Sequence, residues 1–288
     1  MRQADTNDRK LNGDIEMRQG NGSHVGTALW PVWDSTLHLM VTDRSRLAAA
    51  RKLVIEQVTA IDEACNPLRP DSEVRALRRA RGRPVRLSPL LAELVAVSLR
   101  AALLSDGCLD HISLDRISSE VLRAPGEPAG TMLDLSTMAR AYAVDRCARL
   151  VHERCGAGVR VAIGGDIAVA GQPPARGWAS LIRSAPAARD PLLTLDCTMS
   201  TTAGPQSSDR DASTRSTVRP GSRSAVPLWR SVSVAAAPCT YAKALSMAAM
   251  MRGRAAPDWL RGLGVSARLV ATNGEVITVG RWPAHGLG

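Results

Sequence analysis

Segments with two-residue hydrophobic alternation and segments with a helical repeat follow one another irregularly along this chain. That irregularity constrains the fold most, because regular strand–helix alternation is what a parallel, doubly wound sheet requires. Residues 26–41 (GTALWPVWDSTLHLMV) read as a strand broken at a proline. Over 45–65, Leu47, Val54, Val58, Ile61 and Cys65 share one helix face. A turn follows at 66–71, then a short helix over 72–79 capped by Asp71 or Ser72. Ser88-Pro89 opens another helix, with a capping hydroxyl and a proline at the first helical position. A strand end at 130–135 leads into a helix from Met138 to about Glu153, capped by Ser136. Two short strands flank Gly164-Gly165-Asp166, and further strands are expected at 178–182 and 231–236. Helices are expected at 240–252 and 257–262, and a hairpin at 266–280, where Asn273-Gly274 signals a type I′ turn. The pattern fits an α+β or mixed α/β domain, a sheet with packed helices.

At 288 residues and 45% apolar composition, the chain can bury a substantial core. No run of about 18 apolar residues offers a membrane span. Residues 1–23 are polar, without an apolar leader region, and read as a disordered tail on a cytoplasmic protein. Residues 24–288 read as one domain, in which 203–224, rich in Ser and Arg, is an exposed loop. The net charge of +10 is carried almost wholly by arginine, since Lys10, Lys52 and Lys243 are the three lysines. Such a charge raises nucleic acid as a partner. The arginines are dispersed, however, and two Tyr with no Phe leave few stacking platforms, so nucleic acid is not expected. The six cysteines form no CxxC pair, which argues against structural zinc or a disulfide framework. GxGxxG and GxxxxGK[ST] are both missing, which excludes the common dinucleotide and P-loop fingerprints.

Four segments can carry chemistry. Arg69-Pro70-Asp71-Ser72-Glu73 reads chiefly as a helix start. In Leu133-Asp134-Leu135-Ser136-Thr137, a strand end enters a helix N-terminus, where free N–H groups suit a phosphate or carboxylate. Asp134, between two leucines, either caps, pairs with an arginine or grips a ligand. Gly164-Gly165-Asp166 permits a positive-φ turn or close approach of the backbone to a ligand, and equally a plain tight turn. Ser200-Thr201-Thr202-Ala203-Gly204 offers small hydroxyl residues that can cradle phosphate.

In this order and spacing the pieces resemble the ApbE family, from about residue 25 to 282. Val25-Gly26-Thr27, Arg69 to Val74, Gly107 to Asp110, Leu133 to Asp145, Gly164-Gly165-Asp166 and Thr201 to Gly204 carry the resemblance. The Arg/Ala-rich style is similar to shorter members from GC-rich actinobacteria. The resemblance implies a T-fold-related layered domain and an FAD:protein FMN transferase. Such an enzyme moves FMN from FAD onto a Ser or Thr hydroxyl of an acceptor flavoprotein, with Mg²⁺ at the pyrophosphate. It further implies FAD contacts from Asp110, Asp134 and Arg140, with Gly164, Gly165, Asp166, Thr201 and Thr202 lining the flavin nucleotide site. Thr137 would lend a backbone oxygen to the metal. The remaining metal ligands of the family are an Asp and a Thr four residues apart on a late helix. Lys243 and Met247 stand at those two positions here, and neither is a ligand for a hard cation. The alternative expectation is therefore a flavin- or nucleotide-binding homologue without transfer activity, in which Lys243 pairs with the pyrophosphate directly.

Overall fold

The computed structural model describes residues 24–80, 84–104, 117–118, 121–123, 135–175, 177–181, 192–194, 197–203 and 228–282. The expected tail at 1–23, nearly all of the 203–224 loop, Asp110 and Asp134 lie outside the described residues. None of the described helices is long and apolar enough to cross a membrane.

The strands in chain order are β1 Gly26–Val32, β2 Ser35–Val41, β3 Pro84–Arg86, β4 Ile117–Ser118, β5 Val121–Arg123, β6 Val159–Ile163 and β7 Asp166–Ala170. They continue with β8 Ala179–Leu181, β9 Leu192–Thr194, β10 Met199–Ala203, β11 Trp229–Ala235, β12 Ser266–Ala271 and β13 Val276–Val279. The helices are α1 Leu47–Cys65, α2 Glu73–Arg79, α3 Pro89–Leu104, α4 Ser136–Cys155, α5 Cys239–Arg252 and α6 Ala256–Gly262. Among the described residues, eight strands form one sheet in the order β1-β2-β6-β7-β10-β11-β12-β13, and every neighbouring pair is antiparallel. Strands β3, β5 and β4 make a small separate sheet, and β8 pairs with β9.

Residues 26–41 are thus a hairpin, not one interrupted strand. Pro31 fits because β1 is an edge of the sheet, where a missing N–H breaks no ladder on the open side. The reversal falls at Trp33-Asp34, with Trp33 at φ 53°. Ser136 is the first helical residue of α4 and not its cap, which is Leu135. Ser72 likewise does not cap through its hydroxyl, which donates to the Arg69 carbonyl instead. The Asn273-Gly274 turn is not type I′, which needs positive φ at both central residues. Only Gly274 has it (φ 92°), and Ala271 N donates to Glu275 O while Gly274 N donates to Ala271 O, closing a longer loop.

One sheet face carries the helices. Strand side chains alternate between faces, so Leu37, Leu39, Val159, Val161 and Ile163 meet α1 and α4 in one core. Ala50, Val54, Val58 and Ile61 of α1 and Met138, Tyr142, Cys147 and Val151 of α4 complete it. Burying each large aliphatic side chain contributes roughly 1.5–3 kcal/mol. A second cluster unites Val232, Val234, Leu269 and Val279 with Leu245 and Ala249 of α5 and Leu260 of α6. Helix α5 contributes to both clusters, through Ala244 and Met247 to the first and through Leu245 to the second, so it lies over the middle of the sheet.

Candidate functional site

The turn between β6 and β7 consists of Gly164 and Gly165, with Gly164 at φ 58°. A Cβ on Gly165 would lie 2.9 Å from the Thr201 carbonyl oxygen, so the two chains touch there as only glycine allows. The contact is fixed by Thr201 N donating to Gly165 O at 3.0 Å. Asp166 follows and pairs with Ile163 on one side and Ser200 on the other, which turns its side chain to the helix face.

On that face Asp166 is buried among apolar neighbours and needs partners. Ser200 Oγ donates to its Oδ1 at 2.6 Å. Lys243 Nζ of α5 lies 3.5 Å from the same oxygen, in a pair whose side chains are 9% and 3% exposed. One turn along α5, Ser246 Oγ donates to the Lys243 carbonyl at 3.0 Å and lies 2.7 Å from Thr202 Oγ1. A polar strip thus runs Asp166–Ser200–Lys243–Ser246–Thr202 between the central strands and α5, buried except at its half-buried Thr202 end.

Helix α5 starts under a second, half-buried carboxylate. Asp145 of α4 accepts from Cys239 N at 2.8 Å and Thr240 N at 3.0 Å, satisfying the open N–H groups of the first turn. Burial pushes its carboxyl above the usual carboxylate range. The two N–H groups pull the other way, and the charge of Asp166 adds to the rise. Burial also holds the Cys239 thiol well above its ordinary value, reinforced by Asp166 and Asp145. The thiol is therefore not an activated nucleophile.

The expected site residues separate. Asp166 meets Lys243 and Thr202 meets Ser246 of the same helix, while Gly165 lies against Thr201 and Gly164 against Ser35. Thr201 points to the opposite sheet face, where its hydroxyl lies 2.8 Å from Ser233 Oγ, so its side chain is not in the strip. Arg140, in the first turn of α4, reaches Asp34 of the β1–β2 turn at 3.2 Å. Thr137 is half-buried in the same helix turn, and Met247 is buried against the main core. The Arg69 segment is structural: Arg69 ties Asp62 to Asp71, and Glu73 accepts from Ser88 N at 3.0 Å.

Asp145 and Ser246 were not legible as site residues. Their signal is faint: an acid on the buried side of one helix, and a serine beside a lysine in a helix that is otherwise mostly Ala, Met and Leu.

An antiparallel sheet with helices packed on one face is a fold this chain shares with solved flavin transferases. The flavinyl transferase ApbE of Pseudomonas stutzeri superposes with a TM-score of 0.71 at 19% identity, covering 88% of this chain and 94% of that one. The flavin transferase ApbE of Vibrio cholerae gives 0.67 at 15%, covering 88% and 97%. The ApbE protein of Thermotoga maritima gives 0.69 at 16%, also covering 88% and 97%. No match is found among curated proteins. The model of the ApbE family matches residues 110–269, more than half of the chain, and the chain belongs to that family.

Proposed function

We propose that the strip under α5 is the floor of a flavin nucleotide site and that the chain is an FAD:protein FMN transferase. In that reaction a Ser or Thr hydroxyl oxygen of an acceptor flavoprotein forms a bond to the FMN phosphorus. The pyrophosphate P–O bond breaks, AMP leaves, and the hydroxyl proton ends on solvent or on the departing phosphate. The observation that carries the reading is the Gly165–Thr201 contact beside the buried Asp166–Ser200–Lys243 group, in a member of the ApbE family. Positioning of the nucleotide would fall to Gly164, Gly165 and Thr202, with Asp110, Asp134 and Arg140 contacting FAD.

The donor set present does not fit the Mg²⁺ of this chemistry. A hard cation wants oxygen ligands. Lys243 and Met247 place an ammonium and a thioether on the helix, and Asp166, the carboxylate that the described residues set beside Lys243, already serves Ser200 and Lys243. Among the described residues, no group of three or more His, Cys, Asp or Glu could hold a metal. A divalent ion about 4 Å from a fixed ammonium meets a repulsion of roughly 8 kcal/mol at an effective dielectric of about 20. Accordingly no step is assigned to a metal. The same substitutions favour a second reading, in which FAD is bound but not cleaved.

The test incubates the protein with FAD and a flavin-acceptor protein and follows covalent fluorescence on the acceptor. Fluorescence that disappears when the acceptor hydroxyl is removed supports transfer. FAD binding with no labelling selects the second reading, and no FAD binding overturns both.

A further inference from the structure

We propose that the Lys243 ammonium is the resident cation of this site, taking the phosphate oxygens of a nucleotide diphosphate in the place of a divalent metal. The inference rests on the flavin nucleotide reading above and assigns the source of positive charge.

Lys243 is 7% exposed, and a lysine that deep is rare unless it is paired. Its partner is Asp166, but the 3.5 Å separation exceeds the roughly 2.7–2.9 Å of a charge-assisted hydrogen bond. The 2.6 Å bond from Ser200 already occupies Asp166 Oδ1. Among the described residues, no hydrogen bond from the Lys243 nitrogen accompanies the ion pair. Among the described residues, the ammonium is held in place by charge and its N–H donors have no closer acceptor than Asp166.

Among the described residues, the other donors of the strip are engaged. The N–H groups at the start of α5 are consumed by Asp145. Arg140, assigned above to FAD, lies outside the strip, where it pairs with Asp34. The hydroxyls of Ser246 and Thr202 satisfy each other and the Lys243 carbonyl. What the strip offers an incoming anion is therefore the lysine. A phosphate oxygen at the Lys243 nitrogen would complete the donor set that Asp166 only balances electrostatically, and the glycine turn directly precedes Asp166 in the chain.

Two measurements on the unaltered, metal-stripped protein test this. Electron paramagnetic resonance of added Mn²⁺ is expected to show no stoichiometric uptake, and one tightly bound Mn²⁺ per chain overturns the inference whether or not FAD binds. Quenching of FAD fluorescence is expected to give the same affinity in EDTA and in Mg²⁺ within about twofold. A Mg²⁺-dependent gain of about tenfold overturns it while leaving the flavin reading intact. Lys243→Gln is expected to weaken FAD by roughly tenfold or more, the scale of a lost charge-assisted hydrogen bond. A folded Lys243→Gln protein that binds FAD as tightly as the parent shows that Lys243 is only the structural partner of Asp166, and overturns the inference. Should Lys243→Gln not fold, the Mn²⁺ and EDTA measurements decide alone. FAD that binds under no condition defeats the flavin reading itself, and Mn²⁺ uptake still reports separately on the resident cation.

Discussion

Helices α4 and α5 lie side by side on the same sheet and solve burial differently. Helix α4 has 20 residues and buries one face, made of Met138, Ala139, Ala141, Tyr142, Ala143, Val144, Cys147, Ala148 and Val151. Apart from Asp145, which reaches the start of α5, its polar groups stay near the rim, as Arg146 does with Glu93 at 3.2 Å. Helix α5 has 14 residues and is buried from Cys239 to Ala249 save for Tyr241, with Thr240, Lys243 and Ser246 sealed in. A helix enclosed all round is ordinarily apolar all round. The difference teaches that α4 is placed by packing, whereas α5 is placed by packing and by a polar strip whose composition packing does not require.

The strongest way to break that contrast is to unpair the strip. Asp166→Ala leaves the Lys243 ammonium buried without its partner and is expected to cost about 3–5 kcal/mol in urea denaturation. Asp166→Asn combined with Lys243→Met removes both charges and should regain most of that loss. Strict additivity of the single effects would show that the two residues are not coupled.

The pH response is next. On the other sheet face His38 lies beside Arg160, 3.4 Å away, and burial followed by the Arg160 charge lowers its pKa from 6.5 to about 4. The unfolded chain then takes up a proton that the folded one refuses. The contribution of His38 is complete above pH 6.5 and is lost as pH falls from about 6.5 to about 4. His38→Gln should flatten unfolding free energy across that window; an unchanged slope would assign the acid sensitivity elsewhere.

Asp145→Ala deletes the cap on α5 and is expected to cost up to about 2 kcal/mol by thermal denaturation, with Asp145→Asn closer to the parent because an acceptor remains. Ser246→Ala strands the Thr202 hydroxyl and should cost about 1 kcal/mol. Smallest is Arg140→Ala, which breaks a half-exposed pair with Asp34 and is expected to shift stability by less than about 1 kcal/mol. A loss comparable to that of Asp166→Ala would mean that α4, too, depends on ion pairing.

The apolar face of α4 was readable in the sequence; of α5 the helix itself was readable, expected at 240–252 and found at Cys239–Arg252, but its burial was not. The apolar positions of α1 and α4 recur at helical spacing because each helix has one wet face, and the structure buries the residues that spacing selects, except Leu47, which is half-buried. The hairpin around Gly164-Gly165-Asp166 was equally visible, since two β-alternating runs flank the glycines. Helix α5 has no such alternation, because no side of it faces water. The Lys243–Asp166 pair joins residues far apart in the chain, and no local rule couples them. What the sequence did hold was an acid inside VAIGGDIAV and a lone lysine inside AKALSMAAMM, each too costly to bury alone. The split between Thr201 and Thr202 follows from the two-residue period of β10, but only once the strand is known to continue past Ser200. The Pro31 break misled because a proline at a sheet edge need not end a strand.

A charge fixed at Lys243 obeys a different law from a charge delivered by an ion. Bound metal fills a site by mass action, so its occupancy follows the free concentration and is lost to chelators. An ammonium built into α5 is present once in every folded chain, whatever the ionic surroundings. Buried beside Asp166, it is also little screened by salt that weakens the field of the arginine-rich surface. The centre of the molecule and its exterior thus answer to separate variables: the surface to ionic strength, the strip to folding itself.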